Sequence, residues 1–166
     1  SGDLLRPVPH LAAGLAAGVA WSGIAWTASR LQLFSHAFAK AAMFMAAGLI
    51  AEALGHDRIA ELGGIGRKLP ITMLAFALSG LSLVGVPPSG GFSAKWLLLL
   101  ATVMEGQWWW AVVIVLGGLL AGGYIFMVLG RLLASPTVAP ALQAPVSRRR
   151  ECAALSLAIC AVLLGA

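Results

Sequence analysis

From Val8 onward the sequence is a succession of long apolar stretches, about 9–28, 31–54, 70–86, 92–105, 107–133 and 151 to the end, with little polar sequence between them. Most approach the roughly 17–25 residues that a helix needs to cross a ~30 Å hydrocarbon layer. The fourth is short unless part of the Pro/Gly run before it crosses as well. Apolar residues make up 60% of the chain and charged residues only 10%, where a soluble domain averages about 25% charged. With a mean hydropathy of +0.94, this nearly excludes a soluble helical bundle. The fold expected is all-α: a polytopic membrane helix bundle of about six transmembrane segments, one of them discontinuous near Pro87 and Lys95. Residues 1–166 read as a single transmembrane domain. The start at Ser1-Gly2 and the unflanked last stretch read as the ends of a fragment.

The net charge of +5 and pI near 10.0 suit a nucleic-acid binder, but the positions of the charges do not. Arg148, Arg149 and Arg150 precede an apolar stretch, and Arg58, Arg67 and Lys68 lie in a loop between two others, as flanking residues do in membrane proteins. Nucleic acid is therefore not an expected partner; the lipid bilayer is. Alternating the loops sets Arg6, Arg58, Arg67 and Lys68 against Arg30, Arg131 and the three arginines from Arg148, which fixes no orientation. The first stretch lacks the basic start of a signal peptide.

Cys152 and Cys160 are eight residues apart, about 12 Å along a helix, too far for a disulfide. They are expected to be small packing residues with no metal between them. The run Gly63-Gly64-Ile65-Gly66-Arg67-Lys68 lacks the spacing and preceding strand of a phosphate loop and reads as a flexible loop. Gly14 with Gly18, and Gly118 with Gly122, are small-xxx-small pairs that let helices approach closely. Trp108, Trp109 and Trp110 read as an interfacial anchor, which puts the water boundary near 105–107.

Charge inside the apolar stretches is the chemical signal. Lys95 precedes Glu105 by ten residues, about 15 Å of helix, which places it near mid-membrane and beyond the reach of snorkelling. Gln32, His36 and Lys40 recur at i, i+4 and i+8, one helix face about 12 Å long, with Lys40 also near mid-depth. Intramembrane charge is costly and usually marks an ion or proton route. Burial favours neutral lysine while nearby water restores its charge, so such a lysine can load and release a proton. Histidine titrates near neutrality, and Gln32, His36 and Lys40 with trapped water would form a relay. The stretch 87–92, read as six extended residues, would cross part of the bilayer and admit water at Lys95.

Three motifs carry a resemblance. They are His36-Ala37-Phe38-Ala39-Lys40-Ala41-Ala42-Met43-Phe44, the loop from Gly55-His56-Asp57-Arg58 to Pro70, and Gly85-Val86-Pro87-Pro88-Ser89-Gly90-Gly91-Phe92-Ser93-Ala94-Lys95-Trp96. The chain resembles the antiporter-like proton-conducting membrane subunits: large membrane-arm subunits of respiratory complex I (NADH-quinone oxidoreductase), related hydrogenase subunits, and Mrp-type cation/proton antiporters. Asp3-Leu4-Leu5-Arg6 departs from the family's Asp-x-Lys-Arg, with Leu5 in place of the lysine.

The resemblance implies that residues 1–166 are the C-terminal part of a larger subunit, holding the second of two inverted repeats. It implies proton transfer by Lys95, at the break of a discontinuous helix, and by Lys40 and His36 on a central hydrophilic axis. Gln32 falls where some members carry another histidine. The cargo implied is protons, with Na+ exchange as the antiporter alternative, and the partners are other membrane subunits of a multisubunit complex. The location implied is a bacterial inner membrane. No cofactor is expected, and the chain is not an enzyme by itself; redox chemistry would belong to partner subunits of an NADH-quinone oxidoreductase-type or hydrogenase-type translocase. The competing reading is a non-conducting scaffold in such a complex.

Overall fold

The computed structural model describes residues 8–135 and 142–165, with side chains of the first helix described from Ser22 onward. The helices are α1 (Val8–Leu54), α2 (Ile65–Lys68), α3 (Pro70–Val84), α4 (Gly90–Met104), α5 (Trp108–Leu133) and α6 (Arg148–Leu163), with a 3-10 turn at Ile59–Glu61. No strand occurs among the described residues. Asp3 to Arg6 lies outside them, as do the side-chain surroundings of the Gly14/Gly18 pair.

The two apolar stretches predicted at 9–28 and 31–54 are one uninterrupted helix, α1. Arg30 between them reads as a boundary, but a charge does not break a helix. Proline or a backbone-competing turn does so, and between Ser22 and Leu54 there is no proline. This lowers the expected count of six separate segments. Two stretches are long and apolar enough to cross a membrane, Ser22–Leu54 within α1 and Trp108–Leu133, while α3 and α4 are shorter apolar helices.

Local chemistry sets the other boundaries. Pro70 opens α3, where its missing N–H costs nothing. Ser89 caps α4 by accepting from the Phe92 N–H at 3.2 Å. Gly106, at φ +71, turns the chain between α4 and α5 where the water boundary is expected. The run from Gly63 to Lys68 is not a loose loop: Gly64, at φ +78, starts α2, and Ile65 and Gly66 are buried. A Cβ on Gly66 would lie 3.0 Å from the Leu132 carbonyl, so α2 sits tight against the end of α5.

Small residues let α1 act as the spine. Ala28, Ser35, Ala39, Ala42, Ala46 and Ala53 form a buried stripe at helical spacing, and α3, α4 and α6 pack against α1. From α6, Ala154, Ala158 and Ala161 complete the contact. Cys152 and Cys160 are exposed thiols, not packing residues, because they fall on the far side of α6 from these alanines.

Helix directions follow from pairs of contacts. Thr72 meets Glu151 and Ser82 meets Ala161, so α3 and α6 run parallel. Thr27 and Leu97 share a cleft while Ser35 lies against Gly90, so α1 and α4 run antiparallel. Thus α3 and α6 occupy one half of the bundle, towards residues 55–69, and α4 the other, towards 105–107. At 1.5 Å per residue α3 and α4 are each about 22 Å long, and α5 at about 39 Å spans both halves.

Charge is distributed along the same axis. A fork of two bonds, 2.9 and 2.7 Å, joins Arg150 to Glu52, and the Gln143 N–H donates to the Ala53 carbonyl at 2.8 Å. These contacts, with Gly66 against Leu132, gather Arg58, Arg67, Lys68, Arg131, Arg148, Arg149 and Arg150 at one end. Simple loop alternation, which splits them between two sides, is corrected by the short helices α3 and α4, which occupy opposite halves of the bundle and so traverse it once between them rather than twice.

Candidate functional site at the helix break

Every helix leaves its last four carbonyls without intrahelical partners. At the end of α3, Gly85 takes the left-handed conformation at φ +89, and the Gly85 and Val86 N–H groups both donate to the Leu81 carbonyl at 3.0 Å, a glycine-terminated C-cap. The Leu83 and Val84 carbonyls are satisfied from outside: Lys95 Nζ donates to them at 2.6 and 2.8 Å. Lys95 stands in the second turn of α4 and reaches back across the break to hold the end of α3.

Glycines make this approach possible. A Cβ on Gly91 would collide with the Ser82 carbonyl, and one on Gly85 would lie 2.9 Å from Lys95 Cδ. The break is shorter than predicted. Gly90, Gly91 and Phe92 are already helical, leaving residues 85–89 as the non-helical link, with Pro87-Pro88 in cis. The cap from Ser89 and the bare glycine backbone start α4 early, so the chain does not cross half a bilayer in extended form.

Lys95 is half-buried at the floor of a cleft of about 370 Å³ between the break and α5, lined by Phe92, Trp96, Leu99, Gly118, Gly122 and Phe126 among others. A Cβ on Gly118 would sit 3.7 Å from Nζ, and one on Gly122 would sit 3.5 Å from Val84 Cγ1. The predicted Gly118/Gly122 pair is thus where α5 closes on α3. Gly118 is ten residues from Trp108 and Lys95 ten from Glu105, so both lie about 15 Å from the 105–107 turn.

Gln32, His36 and Lys40 follow one another along one side of α1. Gln32 Oε1 is buried without a hydrogen-bond partner. His36 is exposed. Lys40 Nζ lies 5.5 Å from the Phe44 ring centroid. The three side chains are not joined by direct hydrogen bonds among the described residues, so proton passage along them requires water. Lys40 and Lys95 form no ion pair among the described residues, whose carboxylates Glu52, Asp57, Glu61, Glu105 and Glu151 lie at helix ends or in the 55–69 loop. Nor do those residues include a His/Cys/Asp/Glu cluster able to hold a metal.

Sequence reasoning missed a buried polar seam between α1, α3 and α6. Ser35 Oγ lies 3.4 Å from Ser82 Oγ, and Ser82 donates to the Ala161 carbonyl at 3.5 Å. At its outer end Thr72, fully buried, donates to Glu151 Oε1 at 2.8 Å, with Glu151 only 3% exposed. The signal available was three hydroxyls, Thr72, Ser79 and Ser82, inside an apolar stretch. Glu151 was masked by the arginines beside it, which make it look like a flank.

Comparison with known proteins places this architecture. Residues 7–121 match the family described as NADH:quinone oxidoreductase/Mrp antiporter, TM, and the chain belongs to that family. It is an antiporter-like integral membrane subunit. It is 36% identical over 122 residues to NADH-quinone oxidoreductase subunit N of Desulforudis audaxviator, covering 74% of this chain and 24% of the relative. It is 32% identical over 132 residues to F(420)H(2) dehydrogenase subunit L of Methanosarcina mazei, covering 76% of this chain and 18% of the relative. The solved Mrp complex of Dietzia sp. contains a chain that superposes with a TM-score of 0.75 at 26% identity, covering 84% of this chain and 34% of that one. The chain therefore spans about a quarter of the first relative's length and a third of the Mrp chain.

Proposed function

We propose that this chain is a proton-translocating module of a complex-I-like or Mrp-type assembly, and that it supplies one inverted repeat of a larger subunit. In this reading α3 and α4 are the two halves of one discontinuous membrane helix, and Lys95 at their junction takes up and releases the proton. The observation that carries the proposal is the position of Lys95 Nζ, 2.6 and 2.8 Å from the Leu83 and Val84 carbonyls at mid-depth. Carbonyls at a helix C-terminus attract a cation, while the apolar cleft beside it favours the neutral amine. These opposed influences suit a group that alternates between two protonation states. Lys40 and His36 extend the route along α1, with Gln32 as a water-holding position. The cargo is protons; in an antiporter assembly Na+ would be exchanged against them. The redox step of a dehydrogenase-type assembly would lie in partner subunits, in a bacterial inner membrane.

The same bonds support a second reading, in which Lys95 is a helix cap in a non-conducting scaffold. Arginine distinguishes the two, since it keeps the capping charge and does not deprotonate. In proteoliposomes of the complete assembly, Lys95→Ala and Lys95→Arg should both lose most proton transport while the protein stays assembled in the membrane. Normal pumping by Lys95→Arg would establish the cap and end the titration role.

A further inference from the structure

Arg30 has no place in the proton route above. Because α1 and α4 are antiparallel, with Thr27 beside Leu97 and Ser35 beside Gly90, Arg30 lies level with Lys95. It is therefore also about 15 Å from the 105–107 turn. Yet it points outward, on the exposed face of α1, among Trp26 (66% exposed), Leu33 (66%) and Phe34 (57%). Its guanidinium carbon lies 5.4 Å from the centroid of the Trp26 ring, and it forms no ion pair among the described residues.

An arginine here cannot face lipid tails. It is too deep for its stem to bring the charge to the headgroups, and it cannot escape by losing its proton, as a lysine can. The tryptophan face offers attraction but no neutralisation. A fixed positive charge at this depth needs a fixed negative one opposite, and the described carboxylates lie at helix ends or in the 55–69 loop. We infer that the α1 face around Arg30 is an interface for a membrane helix that presents an aspartate or glutamate at mid-depth to this guanidinium. A carboxylate accepts the planar fork in two hydrogen bonds, which also sets the register of the incoming helix. This does not depend on Lys95 titrating.

The test uses native membranes holding the chain in its full assembly. A benzophenone amino acid replacing Leu33 is photoactivated and the attached peptide is sequenced. The expected adduct is a membrane segment with Asp or Glu within about one helical turn of the attachment point. Arg30→Glu should lower recovery of the chain in the assembly at least about tenfold, as expected when a buried charge meets its like. Arg30→Lys should retain assembly, and changing the partner carboxylate to arginine should rescue Arg30→Glu. Since Arg30 is exposed, the Arg30 variants should keep the parent's helical signal. Adducts with phospholipid alone would overturn the inference, as would adducts with a second copy of this chain, where two arginines would oppose each other. Wild-type assembly of Arg30→Leu would overturn it equally.

Discussion

Lysine is the cation that can both cap a helix and give up its proton, so the three deep cations need not share a role. Lys95 is held by backbone, Lys40 rests on an aromatic ring, and Arg30 awaits a partner. Lys40→Met should reduce transport by about a hundredfold, the lower end of the range for loss of a proton-transfer group. His36→Ala should cost less, about threefold, because a water molecule can stand in for one relay member. Both are read as the rate of acidification in proteoliposomes of the complete assembly, and normal pumping by Lys40→Met would make the α1 stripe structural. Lys95, Lys40 and His36 stand out in the sequence because ionisable groups inside an apolar run are conspicuous. Their surroundings could not: the carbonyls that hold Lys95 belong to Leu83 and Val84, residues with nothing polar in their side chains. Arg30 was legible as a charge and misread as a loop, since the sequence does not show which helix face it occupies.

Elements were most legible where backbone chemistry punctuates them. Pro70, Gly85 and Gly106 each mark a boundary, and the apolar stretches between them are helices. The pairing of α3 with α6 was not legible, because it rests on contacts between residues far apart in sequence. In that alanine-lined contact the shorter of two polar links, beside the one from Ser82 to the Ala161 carbonyl, is the bond from Thr72 to the buried Glu151 carboxylate. Thr72→Val keeps the shape and removes the donor, leaving one carboxylate oxygen without its buried partner at a cost of about 1–3 kcal/mol. The protein purified in detergent should melt at a lower temperature, while Thr72→Ser should melt near the parent. Equal melting of Thr72→Val and parent would show that Arg148, 3.9 Å from the other carboxylate oxygen, suffices to stabilise Glu151.

At the scale of the whole molecule the bundle is polarised. Arg58, Arg67, Lys68, Arg131, Arg148, Arg149 and Arg150 cluster at the 55–69 end, and no described Lys or Arg lies at the 105–107 end. Since it is the excess of lysine and arginine that orients membrane proteins, the 55–69 end should face the cytoplasm. In a background with Cys152 and Cys160 changed to serine, Gln107→Cys should react with an impermeant maleimide on intact cells and Gln143→Cys only after lysis; the reverse pattern would refute the orientation. Loop alternation alone hid this asymmetry, which emerges once α3 and α4 are seen to cross the bundle only once between them. The depth of the helix break then acquires an electrical meaning. A charge crossing the whole membrane exchanges about 2.3 kcal/mol with every 100 mV of potential. A proton that stops at Lys95 has crossed about half of that field, so each 100 mV changes its occupancy there roughly sevenfold. In the proposed role, voltage as well as pH would decide how often Lys95 is loaded.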